Sequence, residues 1–361
     1  MLYSLTEMAS SGIPPLLRNI SSPEEWNRKR ESILKGWLDC IGGIPPLVQP
    51  ELQIISWSGF ESHLLIKIRY STVYEDWVPA NLLVPMQGKK VECKTPEDVR
   101  RLLDSGGGEG RTRYPAVLAL HPTSEGGKDD ISLPTGRENR MYGLELVKRG
   151  YIVLAPDIIT AGERILPTRK PFHTAAFYKQ HPGWSAVAKM ISDHRQGVSL
   201  LETIKLADSG KIGAIGHSLG GYNAYFLAGL DSRIKAVACS CGFSTFAGDP
   251  ETHRWGKREW FSHIPKLSDY IQAGKVPFEF HEIAALAAPT PMFFWMGQSD
   301  RIFPHWQPAA EGLAELNALY EWLGAGGNWA SLIGNSGHDF PPEIRELTYS
   351  FLDRWLYADG S

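Results

Sequence analysis

Three residues in this chain could share one proton between them: Ser218, Asp300 and His338. A serine hydroxyl is a poor nucleophile near neutral pH. It needs a base to take its proton and a third group to hold that base in one tautomer. Ser218 closes the apolar run Lys211-Ile212-Gly213-Ala214-Ile215-Gly216-His217 and opens Leu219-Gly220-Gly221, after which Tyr222, Tyr225, Phe226 and Leu227 recur at helical spacing. That order predicts a strand, a sharp turn and a helix. A turn so tight strains its central residue, and the flanking glycines remove Cβ atoms that would strike the neighbouring strand and helix. The hydroxyl is left at a helix N-terminus, where N–H groups favour developing negative charge. With 36 glycines in the chain, a bare Gly-x-Ser-x-Gly could arise by chance in about one chain in four of this length. The strand before it and the helix after it carry the assignment.

The acid and the base sit on two similar loops. The strand 291–296 is followed by Gly297-Gln298-Ser299-Asp300-Arg301, and the strand 329–333 by Gly334-Asn335-Ser336-Gly337-His338-Asp339. Each loop leaves the carboxyl end of a strand, so His338 is expected as general base and Asp300 as the acid that orients it. Asp339 is the less attractive acid, because adjacent side chains in a loop rarely reach each other's far atoms. The order Ser218, Asp300, His338 fits a strand–turn–helix nucleophile and differs from other serine-based arrangements. An oxyanion needs two N–H donors. Leu219 is expected to give one and Thr123, in His121-Pro122-Thr123-Ser124-Glu125-Gly126-Gly127-Lys128, the other, with Ser124 as its possible replacement. His121 reads as a structural hydrogen-bonding histidine and Lys128 as a solvated lysine. His121, Ser124, Trp184, Phe243 and Trp260 are the expected substrate contacts.

These groups need a scaffold, and at 361 residues and 43% hydrophobic content the chain can bury a large core. Residues 1–50 read as an N-terminal helical extension: a polar leader, then Trp26, Ile33, Leu34, Trp37 and Leu38 at helical spacing behind a Ser22-Pro23-Glu24-Glu25 start. Residues 51–361 read as one catalytic domain. Strands 52–58, 64–70 and 77–84 predict an antiparallel start. Strands 115–120, 151–155, 211–215, 234–240, 291–296 and 329–333, mostly separated by helical sequence, predict an α/β, mostly parallel doubly wound sheet with the chemistry at its carboxyl ends. The inserts 157–190 and 242–288 carry aromatic residues and are expected to wall the site as a small cap. Ser105-Gly106-Gly107-Gly108-Glu109-Gly110 reads as a flexible exposed loop.

Composition narrows the partners. A formal net charge of −3 without like-charge runs gives no surface for nucleic acid or an anionic membrane. No apolar stretch reaches membrane-spanning length, and the first residues lack a signal-peptide pattern, so a cytoplasmic protein is expected. Cys239 and Cys241 point to opposite faces of one strand end, and Cys40 and Cys93 are isolated. No ligand set for a metal is completed, and no cofactor is implied. The oligomeric state is open, with a homo-oligomer one option.

Gly-His-Ser-Leu-Gly-Gly with Asp300 and His338 resembles the α/β-hydrolase superfamily. Four stretches are similar to its dienelactone hydrolase and acetyl xylan esterase-like branch: His121-Pro122-Thr123 with Gly127-Lys128, residues 149–157, Asp231-Ser232-Arg233-Ile234-Lys235-Ala236, and Gly337-His338-Asp339-Phe340-Pro341. The resemblance covers about residues 60–357. It implies an α/β-hydrolase fold and a serine esterase acting through an acyl-enzyme on a small molecule, and aromatic inserts that narrow the pocket favour a short, acetyl-type acyl group. Dienelactone hydrolases proper use cysteine where this chain has Ser218. A prolyl-oligopeptidase-like peptidase is the alternative, although only about a hundred residues, without repeats, precede the parallel sheet. A non-catalytic binding protein on a hydrolase fold is the other, but no member of the triad is missing.

Overall fold

The computed structural model describes residues 2–86, 92–106, 113–251 and 253–357. Nine strands form one sheet: β1 (Leu52–Gly59), β2 (His63–Ser71), β3 (Trp77–Pro85), β4 (Tyr114–Leu120), β5 (Ile152–Pro156), β6 (Ala207–His217), β7 (Ile234–Ser240), β8 (Met292–Gly297) and β9 (Trp329–Gly334). Their spatial order is β1-β2-β3-β5-β4-β6-β7-β8-β9. The pairs from β1 to β5 are antiparallel, and every pair from β5 through β9 is parallel. All the expected strands are present. β6 begins four residues before the predicted Lys211, because Ala207 pairs with Tyr114 through a polar stretch that hydrophobic patterning does not reveal.

Both faces of the parallel strands are covered, which is why β4, β5 and β7 read as continuous apolar runs. Alternation splits β4: Ala116, Leu118 and Leu120 enter one core, and Val117 and Ala119 the other. The larger core holds α2 (Ala186–Thr203) and α3 (Leu219–Leu230), and the smaller one holds α5 (Pro342–Leu356). Cys239 falls in the first and Cys241 in the second, on opposite faces as their spacing requires. The helix α4 (Trp306–Trp322) precedes β9.

Near the N-terminus, α1 (Pro23–Ile41) starts on a capping box. The Ser22 hydroxyl accepts from the Glu25 N–H, the Glu25 carboxylate accepts from the Ser22 N–H, and Gly42 ends the helix at φ 88°. Its Trp37 is fully buried, with ring centroids 5.0 Å from Phe226 and 5.1 Å from Phe278. The leader before α1 is more ordered than its polarity suggests: Leu5–Ser11 is helical, and Tyr3–Ser4 pairs with Lys275–Val276. Of the loop expected at 105–110, residues 107–110 lie outside the described residues. Gly106 is buried, and a Cβ there would strike the Lys205 carbonyl.

Candidate active site

The register of the sheet gathers the three residues. Gly297 is level with Gly334 on adjacent parallel strands, so Asp300 and His338, three and four residues further on, emerge side by side. Two backbone bonds lock their loops together, from Gln298 N–H to the Gly334 carbonyl at 2.8 Å and from Ser299 N–H to the Ser336 carbonyl at 2.9 Å. Two strands away, β6 ends at His217, level with Ser240 of β7, and Ser240 is level with Trp295 of β8.

Ser218 follows at φ 55° and ψ −118°, a region non-glycine residues rarely occupy. Close packing enforces it. A Cβ on Gly216 would strike the backbone of Gly220, and one on Gly220 would strike the Leu120 carbonyl. The Ser218 N–H donates to the Ser240 carbonyl at 2.7 Å.

His338 Nδ1 donates to Asp300 Oδ2 at 2.6 Å, which leaves Nε2 as the acceptor nitrogen. Asp300 Oδ1 accepts from the N–H groups of Ile302 at 2.7 Å and Phe303 at 3.1 Å. Burial alone would raise the Asp300 carboxyl, but the hydrogen bond and charge of His338, with these two N–H donors, hold it below the usual range. Asp339 is taken by other partners: it accepts from Arg140 Nη1 at 2.7 Å and Asn139 Nδ2 at 2.9 Å. Behind His338, the His217 ring lies 4.8 Å from the imidazole, and burial pushes the pKa of His217 well down, so it stays neutral.

Ser218 and His338 face one cavity of about 330 Å³, which Leu219 and Thr123 also line. Among the described residues Ser218 Oγ has no hydrogen-bond partner, and it shares its cavity with His338. Leu219 is the first residue of α3, whose opening N–H groups have no carbonyl within the helix. A larger concavity of about 820 Å³ lies along α1 and residues 14–20. None of its lining residues belongs to the elbow or to the acid and base loops.

The loop carrying Thr123 is held from behind. His121 is buried; its Nδ1 donates to the Pro122 carbonyl at 2.7 Å and its Nε2 accepts from the Ile158 N–H at 3.2 Å. It is outside the cavity lining. Ser124 is also absent from the lining. Lys128 is buried rather than solvated: its ammonium sits 3.0 Å from Asp157 and 2.6 Å from Glu163, and its N–H donates to Asp157 at 2.8 Å. Burial alone would lower this lysine, but Asp157, Glu163 and Asp129 raise it above its usual value.

Of the five expected substrate contacts, four lie outside the cavity lining: His121, Ser124 and the two aromatic residues Phe243 and Trp184. Phe243 packs in the core at 5.5 Å from Phe294, and Trp184 is buried beside Tyr74 with its indole N–H on the Gly43 carbonyl at 2.9 Å. Aromatic type gave no sign of which face each ring would turn to. Trp260 does line the cavity, with Trp255, Phe261 and His263 of the same insert. No described residue of 157–190 lines it. That insert backs the wall through Phe172, 5.9 Å from Trp260 and 5.3 Å from Phe261. Arg137, Arg140, Tyr222, Arg254, Arg258, Ile302 and Phe303 also line the cavity and went unmarked in the sequence. Tyr222 alone had a signal, one helical turn after Ser218.

Cys241, Asp300 and His338 place ligand-type atoms within 4.8 Å of one another. The set suits a cation poorly. Asp300 and His338 are already joined, and burial pushes the Cys241 thiol up to about 12, so it stays protonated and donates to the Asp339 carbonyl at 3.3 Å.

The sequence pattern of the dienelactone hydrolase family matches residues 137–319, just over half of the chain. The YtaP protein of Bacillus subtilis (strain 168), named as a hydrolase without further assignment, is 29% identical over 252 residues, 67% of this chain and 79% of that protein. Among solved structures, a glucuronoyl esterase from Solibacter usitatus matches with a TM-score of 0.67 at 16% identity, covering 95% of this chain and 97% of that one. A Bacteroides fragilis NCTC 9343 protein, named as a candidate acetyl xylan esterase, matches with a TM-score of 0.62 at 20% identity over 93% and 82% of the two chains. At such identities the structures speak for the fold alone. The chain belongs to the dienelactone hydrolase family, ester hydrolases of the α/β-hydrolase fold.

Proposed function

We propose that this protein is a serine esterase that cleaves short-acyl esters of a small molecule through an acyl-enzyme. The observation that carries the reading is the 2.6 Å contact from His338 Nδ1 to Asp300, in a cavity shared with a strained Ser218 at the head of α3. Ser218 Oγ attacks the ester carbonyl while His338 Nε2 takes its proton. Asp300 keeps the ring in one tautomer and balances the imidazolium. The N–H groups of Leu219 and Thr123 hold the oxyanion, a donor of this kind being worth about 3–4 kcal/mol in the transition state. His338 returns the proton to the leaving alcohol, and water, activated by the same base, releases the acid.

The size and walls of the cavity favour a small substrate over a polymer. Trp255, Phe261 and Phe303 are buried around it. No described helix is long and apolar enough to cross a membrane. A fluorophosphonate probe should label Ser218. Ser218→Ala should lose the label and more than about 10⁴-fold of p-nitrophenyl acetate turnover. Wild-type turnover in the alanine variant would end this reading.

A further inference from the structure

Four guanidinium groups line the Ser218 cavity: Arg137, Arg140, Arg254 and Arg258. Three are matched by carboxylates of the chain itself. Arg137 grips Asp130 at 2.7 Å, Arg140 meets Asp339 at 2.7 Å, and Arg254 meets Asp249 at 2.8 Å. The one carboxylate in the lining, Glu251, is turned to Arg254 at 3.5 Å.

Arg258 differs. Its guanidinium has a long contact to the Arg254 carbonyl at 3.5 Å and lies over the Trp260 ring at 5.6 Å. Among the described residues no carboxylate lies within ion-pair distance of it. Its backbone is nevertheless fixed, because the Arg258 N–H donates to the Ser262 hydroxyl at 2.8 Å and that hydroxyl donates back to the Arg258 carbonyl at 2.8 Å. A half-buried cation near an aromatic face, with no carboxylate partner among the described residues, is free to pair with an anion that arrives with the ligand. Apart from the long contact of Nη1 to the Arg254 carbonyl, no hydrogen bond from this guanidinium is made among the described residues, and a guanidinium can match a carboxylate in two-point fashion.

We infer that Arg258 selects esters bearing a free carboxylate, such as a half-ester of a short dicarboxylic acid, by pairing with that group while the ester carbonyl reaches Ser218. The inference rests on the esterase reading of the same cavity and names its substrate class. The chemistry stays that of Ser218, His338 and Asp300. Arg258 supplies discrimination by charge.

The test compares mono-4-nitrophenyl succinate with its neutral methyl ester, 4-nitrophenyl methyl succinate. The wild-type protein should prefer the anionic ester. In Arg258→Ala the ratio of kcat/KM for anionic over neutral ester should fall about 10- to 100-fold, mainly through KM, the range expected for losing a hydrogen bond to a charged group. Arg258→Lys should restore part of the ratio, and Arg258→Glu should invert it. A wild-type ratio at or below one overturns the inference. So does an alanine variant that loses both esters by the same factor, since Arg258 would then act on the reaction and not on substrate charge. If neither ester turns over, the esterase reading has failed, and calorimetric binding of monomethyl succinate decides Arg258 separately. Binding that Arg258→Ala abolishes upholds the inference, and absence of binding to the wild-type protein overturns it.

Discussion

Ser218 and Trp260 look into the same cavity but are held in different ways. Ser218 is fixed by backbone: its N–H on the Ser240 carbonyl, and the close approaches at Gly216 and Gly220. Trp260 is 37% exposed and rests on side chains, edge-on to Phe172 and 5.8 Å from Phe261. The floor tolerates almost no change in shape, and the wall can vary without disturbing it. On the esterase reading proposed above, the floor carries the reaction type and the wall the choice of substrate.

The comparison can be broken or sharpened by experiment. Asp300→Asn should lower kcat by about 10³- to 10⁴-fold, as expected when the base loses its orienting carboxylate. Asp339→Asn, one residue beyond the base, should cost less than about tenfold, since Asp339 holds Arg140 and not the ring of His338. Equal losses in steady-state kinetics would mean that the acid has been misassigned.

Gly220→Ala should destabilise the fold by about 3 kcal/mol or more in urea unfolding, because the new methyl meets the backbone of β4. A near-neutral result would show that the floor can yield, contrary to the picture above.

Acid should weaken the fold as a whole. Burial holds His194 of α2 and His263 of the wall down to about 3, and His281 likewise, against about 6.5 in an unfolded chain. Between those values the unfolded chain binds protons that the folded chain refuses. Stability is then full above about pH 6.5 and is lost as pH falls from there toward 3. Thermal melts should show Tm dropping throughout that interval, and a Tm level from pH 7 to 4 would contradict it.

The smallest effect is expected at the wall. Trp260→Ala should raise KM for p-nitrophenyl acetate a few-fold and cost under about 1 kcal/mol of stability. A large loss of kcat would place the wall in the reaction itself.

Much of this site was legible before folding. The alternation of apolar runs and helical spacing located every strand of the sheet, and the loops bearing Asp300 and His338 were placed by the strands that precede them. The arginines were not legible. Arg137 and Arg258 look like any surface cation in the chain, and only their partners separate them, Arg137 answered by Asp130 and Arg258 by no carboxylate among the described residues. Lys128 was misread for a related reason. Its buried partner Asp157 is 29 residues away, and no local pattern tells a solvated lysine from one folded under a loop. Phe243 and Trp184 failed because hydrophobicity says that a ring will be covered and is silent on what covers it.

What the sequence by itself determined is the local geometry of the reacting groups. A strand, a glycine-bounded turn and a helix strain Ser218 by short-range sterics alone, and a strand end presents whatever residue follows it. What only the tertiary structure decided is which of those ends meet and what surrounds them. Strand register brought Asp300 within 2.6 Å of His338 rather than leaving that place to Asp339. The folding of the 242–288 insert over the elbow set the Arg258 guanidinium in the wall. Those contacts join residues tens to hundreds of positions apart, and their partners are chosen by packing and by charge left unbalanced, neither of which is written in any short stretch of chain.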